Sequence, residues 1–233
     1  MVSEAGKLRI LGFQIDIQIW ARVLPFALYM VFLAIEAALA SLLPGVDLRW
    51  VYAVKIAAVL AALWYYRHIY HELLAVPERF WVWLAAPLVG ILVFVLWINL
   101  DAGWMSIGGG PGFDPRDPEG DFIWPLILVR LFGAAVIVPV MEELFWRSFL
   151  LRWIQQQNFL ELSPLRIGLR AILISSVLFG LEHSLWLAGI VAGLAYAWLY
   201  RVSGNIWVPI VSHAVTNLAL GLWVLHSAQW QFW

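Results

Sequence analysis

The chain alternates between long apolar runs and short polar breaks, and the length of the runs sets the environment they need. Stretches able to cross roughly 30 Å of hydrocarbon occupy residues 20–43, 50–66 and 80–100. After a polar loop, others occupy residues 122–153, 169–183, 185–200 and 206–225. The pattern predicts an all-α, polytopic membrane helix bundle of about seven to eight transmembrane helices. The run over 122–153 would measure roughly 48 Å as a straight helix, so it has to kink, tilt or break, and Pro139 is the place for it. The connection "DAGWMSIGGGPGFDPRDPEGD" is rich in glycine, proline and acids and reads as an exposed, irregular loop.

Composition sharpens this picture. Of 233 residues, 64% are hydrophobic and 12% charged, and the mean hydropathy is +0.86. A soluble domain still leaves roughly a quarter of its unfolded-chain surface exposed, so lipid has to cover the remainder. A net charge of −1 and the lack of a basic stripe argue against nucleic acid. With no cysteine, disulfides, thiolate metal sites and a cysteine nucleophile are excluded. The start, "MVSEAGKLRILGFQIDIQ", lacks the apolar core and cleavage site of a secretory signal, so the first spanning helix is expected to be retained. Lys7, Arg9, Arg67, Arg79, Arg152, Arg166, Arg170 and Arg201 fall on one side of seven crossings, the cytoplasmic side, together with the N-terminus. No second domain or repeat is visible. Residues 1–121 hold the N-terminal helices and an extracytoplasmic loop, and residues 122–225 form the helical core that carries the chemistry.

Ionisable side chains inside spans are costly and mark functional candidates. They are Lys55, Arg130, Glu142, Glu143, Arg147, Glu182, His183 and His213, with Asn217 as a polar companion. Glu143 and Arg147, four apart, share a helix face and can pair, which lowers the cost of burying both. Glu142 lies about 100° around the helix, free to face a cavity, and is the better catalytic candidate. His213 and Asn217 are again four apart. Counting 1.5 Å per residue from residues 153, 169 and 203 puts Glu142 roughly 17 Å deep, His183 roughly 21 Å, His213 roughly 15 Å and Asn217 roughly 21 Å. Three helices thus bring four polar groups to similar depth.

A carboxylate beside a neutral histidine holds a water molecule, takes its proton and delivers hydroxide to a carbonyl. A second histidine with an asparagine amide supplies donors where an oxyanion forms. This set suffices for amide hydrolysis with no cofactor and no metal. "EELFWR", "FGLEH" and "HAVTN" resemble, in order, the Glu-Glu-x-x-x-Arg, Phe-x-x-x-His and His-x-x-x-Asn motifs of the CPBP family, which includes the type II CAAX prenyl endopeptidases and related glutamate-dependent intramembrane proteases. The flanks in "SGNIWVPIVSHAVTN" are similar too, so the resemblance covers roughly residues 139–220. It implies that Glu142 and His183 activate water, that His213 and Asn217 stabilise the oxyanion, and that Glu143, Arg147 and Phe179 support them. It further implies a multi-pass protein of a bacterial cytoplasmic membrane acting near the C-terminus of a membrane-anchored or lipid-associated polypeptide. Ser148 departs from the family's usual glycine. A weaker resemblance, in the tryptophan-rich context, points to members that accompany bacterial C-terminal protein-sorting systems.

Other readings compete. Glu142, His183 and His213 would also make a catalytic zinc set, and a silent scaffold that binds a partner's transmembrane segment would keep the same polar core. A proton-coupled transporter explains buried charge, but no paired broken segments occur. His68 and His71, three apart in "YRHIYHELL", fall in a charged loop and read as solvated rather than metal-binding. "GIVAG", residues 189–193, is a small-x-x-x-small pattern that lets helices pack closely. Trp81, Trp83, Trp207 and Trp230 read as interfacial anchors.

Overall fold

The computed structural model describes residues 7–10, 13–109 and 112–233, and the side chains from residue 16 onward. Residues 1–6, in the stretch read as an uncleaved start, and residues 110–111 of the long loop lie outside the described residues, as do the side chains of Lys7 and Arg9. Each apolar run becomes one helix. These are α1 (Ile17–Leu42), α2 (Val51–Tyr65), α3 (Phe80–Trp97), α4 (Trp124–Trp153), α5 (Leu169–Leu181), α6 (Trp186–Ser203) and α7 (Trp207–Ser227). A two-stranded antiparallel hairpin, β1 (Lys7–Ile10) and β2 (Phe13–Asp16), precedes them. Asp16 caps α1 by accepting the Gln18 N–H at 2.8 Å.

The outer surface is apolar along the helices, unlike that of a soluble protein. On α3, Leu84, Leu88, Ile91, Leu92 and Val95 face outward, while Arg22, Lys55, Glu142, Glu143, Arg147 and His213 are buried. So many exposed apolar side chains around a core that also buries charged groups require a hydrocarbon solvent. By length and composition α1, α3, α4 and α7 are able to cross a membrane. With 13 residues, α5 spans only roughly 20 Å, so its C-terminal end, where His183 follows, stops short of a full crossing.

Small residues let the helices approach. A Cβ added at Gly193 on α6 would lie 2.9 Å from the Ser176 Cα on α5, and one at Gly189 would lie 2.9 Å from the Gly180 Cα. The "GIVAG" stripe therefore seats α6 directly on α5, with the two backbones in contact.

Helix α4 neither breaks nor ends at its proline. Residues Gly133–Ile137 form a π turn in which the Val138 N–H bonds the Gly133 carbonyl five residues back. Pro139 has no N–H to offer Ala134 in the same register, so the Ala134 carbonyl is left to another partner. Asn217 on α7 donates to it at 2.8 Å. A second π segment, Leu144–Leu150, follows the two glutamates and carries Arg147 and Ser148. Wide turns of this kind concentrate at functional sites.

The helices alternate in direction, giving the bundle a basic end (Arg22, Arg152, Arg201) and a loop end. At the basic end the segment over residues 66–79 is anchored rather than solvated: Tyr70 is buried with its hydroxyl donating to the Ala21 carbonyl at 2.6 Å, and Glu72 pairs with Arg22 at 2.7 Å. His68 and His71 point outward. Trp83 and Trp207 donate to the Pro77 and Leu73 carbonyls, at 3.2 and 2.9 Å, and so pin this segment. Trp230, expected at an interface, is buried instead, beneath Arg116 and beside Phe122. The long loop is irregular as expected but tied down. The Arg49 guanidinium donates to the carbonyls of Asp114 and Arg116 at 3.0 and 2.6 Å, and the Ile107 N–H bonds the Ser184 carbonyl at 2.8 Å.

Candidate active site

One cavity of about 360 Å³ lies inside the bundle, and Glu142, His183, His213 and Asn217 all line it. They arrive from α4, from the turn after α5 and from α7, so three separate stretches of sequence meet at one space. The first three helices add Tyr29, Tyr52 and Trp97 to the wall, and Gln231, Phe232 and Trp233 lie across another part of it.

The two adjacent glutamates part company. Glu143 is fully buried, with Oε2 3.1 Å from the Arg147 Nε and Oε1 3.0 Å from the His213 Nδ1. Glu142 faces the cavity, and its Oε2 has no hydrogen-bond partner among the described residues. Arg147 packs against two rings, its Cζ 4.5 Å from the Phe179 ring centre and 5.3 Å from that of Tyr196. Such stacking is available to a planar guanidinium and not to an ammonium.

Hydrogen bonding fixes how each histidine presents itself. The His183 Nδ1 lies 2.8 Å from the Phe179 carbonyl. A carbonyl only accepts, so Nδ1 carries the proton and, in the neutral ring, Nε2 holds the lone pair. The ring rests between Phe179, 4.7 Å away, and Trp97, 5.3 Å away. His213 stacks on Tyr196 at 4.9 Å and gives its Nδ1–H to the Glu143 carboxylate. Its Nε2 therefore accepts when the ring is neutral and donates when it is an imidazolium with Glu143 as counter-ion. Tyr196 is held in turn, its hydroxyl donating to Thr216 at 2.7 Å, and Thr216 donates to the Gly90 carbonyl at 2.8 Å. Asn217 commits one amide N–H to Ala134 and keeps the other.

Residues 124–219 match the family model described as Type II CAAX prenyl endopeptidase Rce1-like. That match supports membership of the CAAX-protease (CPBP) family. The matched segment contains Glu142, Glu143, Arg147, Phe179, His183, His213 and Asn217. No curated protein and no solved structure matches the chain. The similarity over residues 124–219 and the four long apolar helices together support an integral membrane protein that resembles an intramembrane endopeptidase family, whose class of substrate is a polypeptide in the membrane.

Sequence reasoning left several cavity residues unassigned. Glu182 also lines the space, and its Oε2 has no partner among the described residues. Tyr29, Tyr52, Trp97 and Tyr196 carried no motif to single them out; they look like ordinary aromatic residues of apolar helices. No three His, Cys, Asp or Glu side chains among the described residues are grouped to hold a metal ion.

Proposed function

We propose that the protein is a glutamate-dependent intramembrane endopeptidase that cleaves a membrane-anchored or lipid-associated polypeptide near its C-terminus, with the basic end of the bundle in the cytoplasm of a bacterial cell. The observation that carries this reading is the single cavity lined by Glu142, His183, His213 and Asn217. Residues 122–225 supply the machinery, and the first three helices complete the wall around it.

Water sits between the Glu142 carboxylate and the lone pair on the His183 Nε2. Glu142 accepts one water proton as the oxygen attacks the scissile carbonyl carbon. The resulting oxyanion receives hydrogen bonds from the His213 Nε2–H, with the ring as an imidazolium, and from the free Asn217 N–H. As the C–N bond breaks, the proton held by Glu142 passes to the departing amine. Glu143 and Arg147 stay out of the reaction: they hold the His213 ring by its Nδ1 and fix the α4 turn beneath it.

The test is to purify wild type and Glu142→Gln in detergent and follow cleavage of a pooled set of co-resident membrane-anchored proteins by mass spectrometry, with and without chelator. Cleavage by wild type that ignores chelator, and a loss of about 10²–10⁴-fold in the variant, is the expected result. Chelator sensitivity would move the assignment to a zinc peptidase, and equal processing by both proteins to a scaffold.

A further inference from the structure

Arg130 is a cation in the cavity wall for which the proposed hydrolysis has no use. It lines the same space as Glu142 and His183, yet it forms no ion pair among the described residues, and its guanidinium donates no hydrogen bond to them. Arg130 is half-buried, whereas the fully buried basic groups of the helices all have partners: Arg22 with Glu72, Lys55 with Glu36, Arg147 with Glu143 and Arg152 with Ser148. Arg130 has aromatic rings instead. Its Cζ stands 4.4 Å from the centre of the Tyr52 ring, 4.7 Å from Phe113 and 5.9 Å from Trp233.

Rings over the faces of a guanidinium hold it in place and shed water from it, while its N–H groups point outward in the plane and stay free. That planar fork matches a carboxylate, and in a site with little water the pairing is stronger than at a surface. Arg130 lies twelve positions before Glu142 on the same helix, roughly 18 Å along its axis toward the loop end. An extended peptide covers that distance in about five residues.

We infer that Arg130, caged by Tyr52 and Phe113, is a carboxylate-binding subsite that anchors the substrate about five residues from the bond to be cut. The carboxylate is either the substrate's own C-terminus or an acidic side chain near it. The inference rests on the endopeptidase reading for its meaning, but not for its test.

Binding is measured on the full-length Glu142→Gln protein in detergent, so that no probe is cleaved. Three fluorescent N-lauroyl hexapeptides of alanine and leucine serve as probes: one with a free C-terminus, one with a C-terminal amide, and one amidated with aspartate as its last residue. At least one carboxylate probe is expected to bind about tenfold or more tightly than the neutral amide, and which of the two does so identifies the source of the charge. The preference should vanish in Glu142→Gln/Arg130→Gln and survive in part in Glu142→Gln/Arg130→Lys, whose size-exclusion profile also reports on folding. Equal binding of all three probes, no binding of any, or a preference that persists without Arg130 would overturn the subsite. Failure of the endopeptidase reading shows up separately, as wild type that cleaves nothing, and leaves these affinities unchanged.

Discussion

At the scale of single residues, two neighbouring carboxylates do different work because a helix turns about 100° per residue. Glu143 is the counter-charge of a buried arginine, and Glu142 faces the cavity. Replacing Glu143 by Gln strands Arg147 in the interior, an uncompensated charge that costs about 3–5 kcal/mol. Replacing Glu142 by Gln strands nothing. Thermal unfolding in detergent should therefore show a large drop for Glu143→Gln and none for Glu142→Gln; equal drops would refute the division of labour. This much was legible in the sequence, since the four-residue spacing of Glu143 and Arg147 is a local signal. The bond from Glu143 to His213 was not, because it joins positions 70 residues apart. Nor was the partner of Lys55, which is Glu36 at 2.8 Å near the far end of α1, because the two lie on different helices.

At the scale of elements, apolar run length located the seven long helices of the described residues, because a segment in lipid has to satisfy its backbone internally. The same signal could not show how α4 passes its proline. That depends on a π turn whose spare carbonyl is filled from α7, a pairing with no local trace in the sequence. The close seat of α6 on α5 was legible as a small-residue stripe, and it makes a measurable claim. In Gly193→Val the new side chain meets the Ser176 backbone, which cannot yield without parting the helices. Overpacking of this kind costs about 1–3 kcal/mol. It should also move His183, which follows α5, so cleavage ought to fall along with the melting temperature. Gly103→Ala, where a Cβ would meet nothing within 4 Å, is the matched control and should change neither. Normal activity in a folded Gly193→Val protein would show that the α5–α6 seat does not position the histidine.

At the scale of the whole molecule, the two halves of the chain are locked together at the basic end by a cluster that the sequence hid. Ser148, which stands where the resemblance leads one to expect glycine, is buried there: its hydroxyl donates to Glu72, and Arg22 and Arg152 donate to it at 3.0 and 2.9 Å. Glu72 accepts from the Arg22 Nε at 2.9 Å and from its Nη2 at 2.7 Å, so α1, the segment after α2 and the end of α4 share one network. Burial works against ionisation of Glu72, but Arg22 and Ser148 outweigh it and hold the carboxyl below its ordinary value. A depressed folded-state pKa stabilises the protein fully above the unfolded value and loses that contribution as pH falls through the folded one. Wild type should thus hold its melting temperature from neutrality down to the ordinary glutamate range, around pH 4, and lose stability below it. Glu72→Gln should melt lower at neutral pH by the cost of a broken buried pair, about 3 kcal/mol. The gap between the two proteins should close on acidification, because protonated Glu72 no longer offers Arg22 a charge. Other acids of the chain titrate alike in both proteins, so the difference curve reads Glu72 alone. A gap that stays constant down to pH 3 would mean that the cluster is held by packing and neutral hydrogen bonds, with the ion pair contributing nothing to the join between the halves.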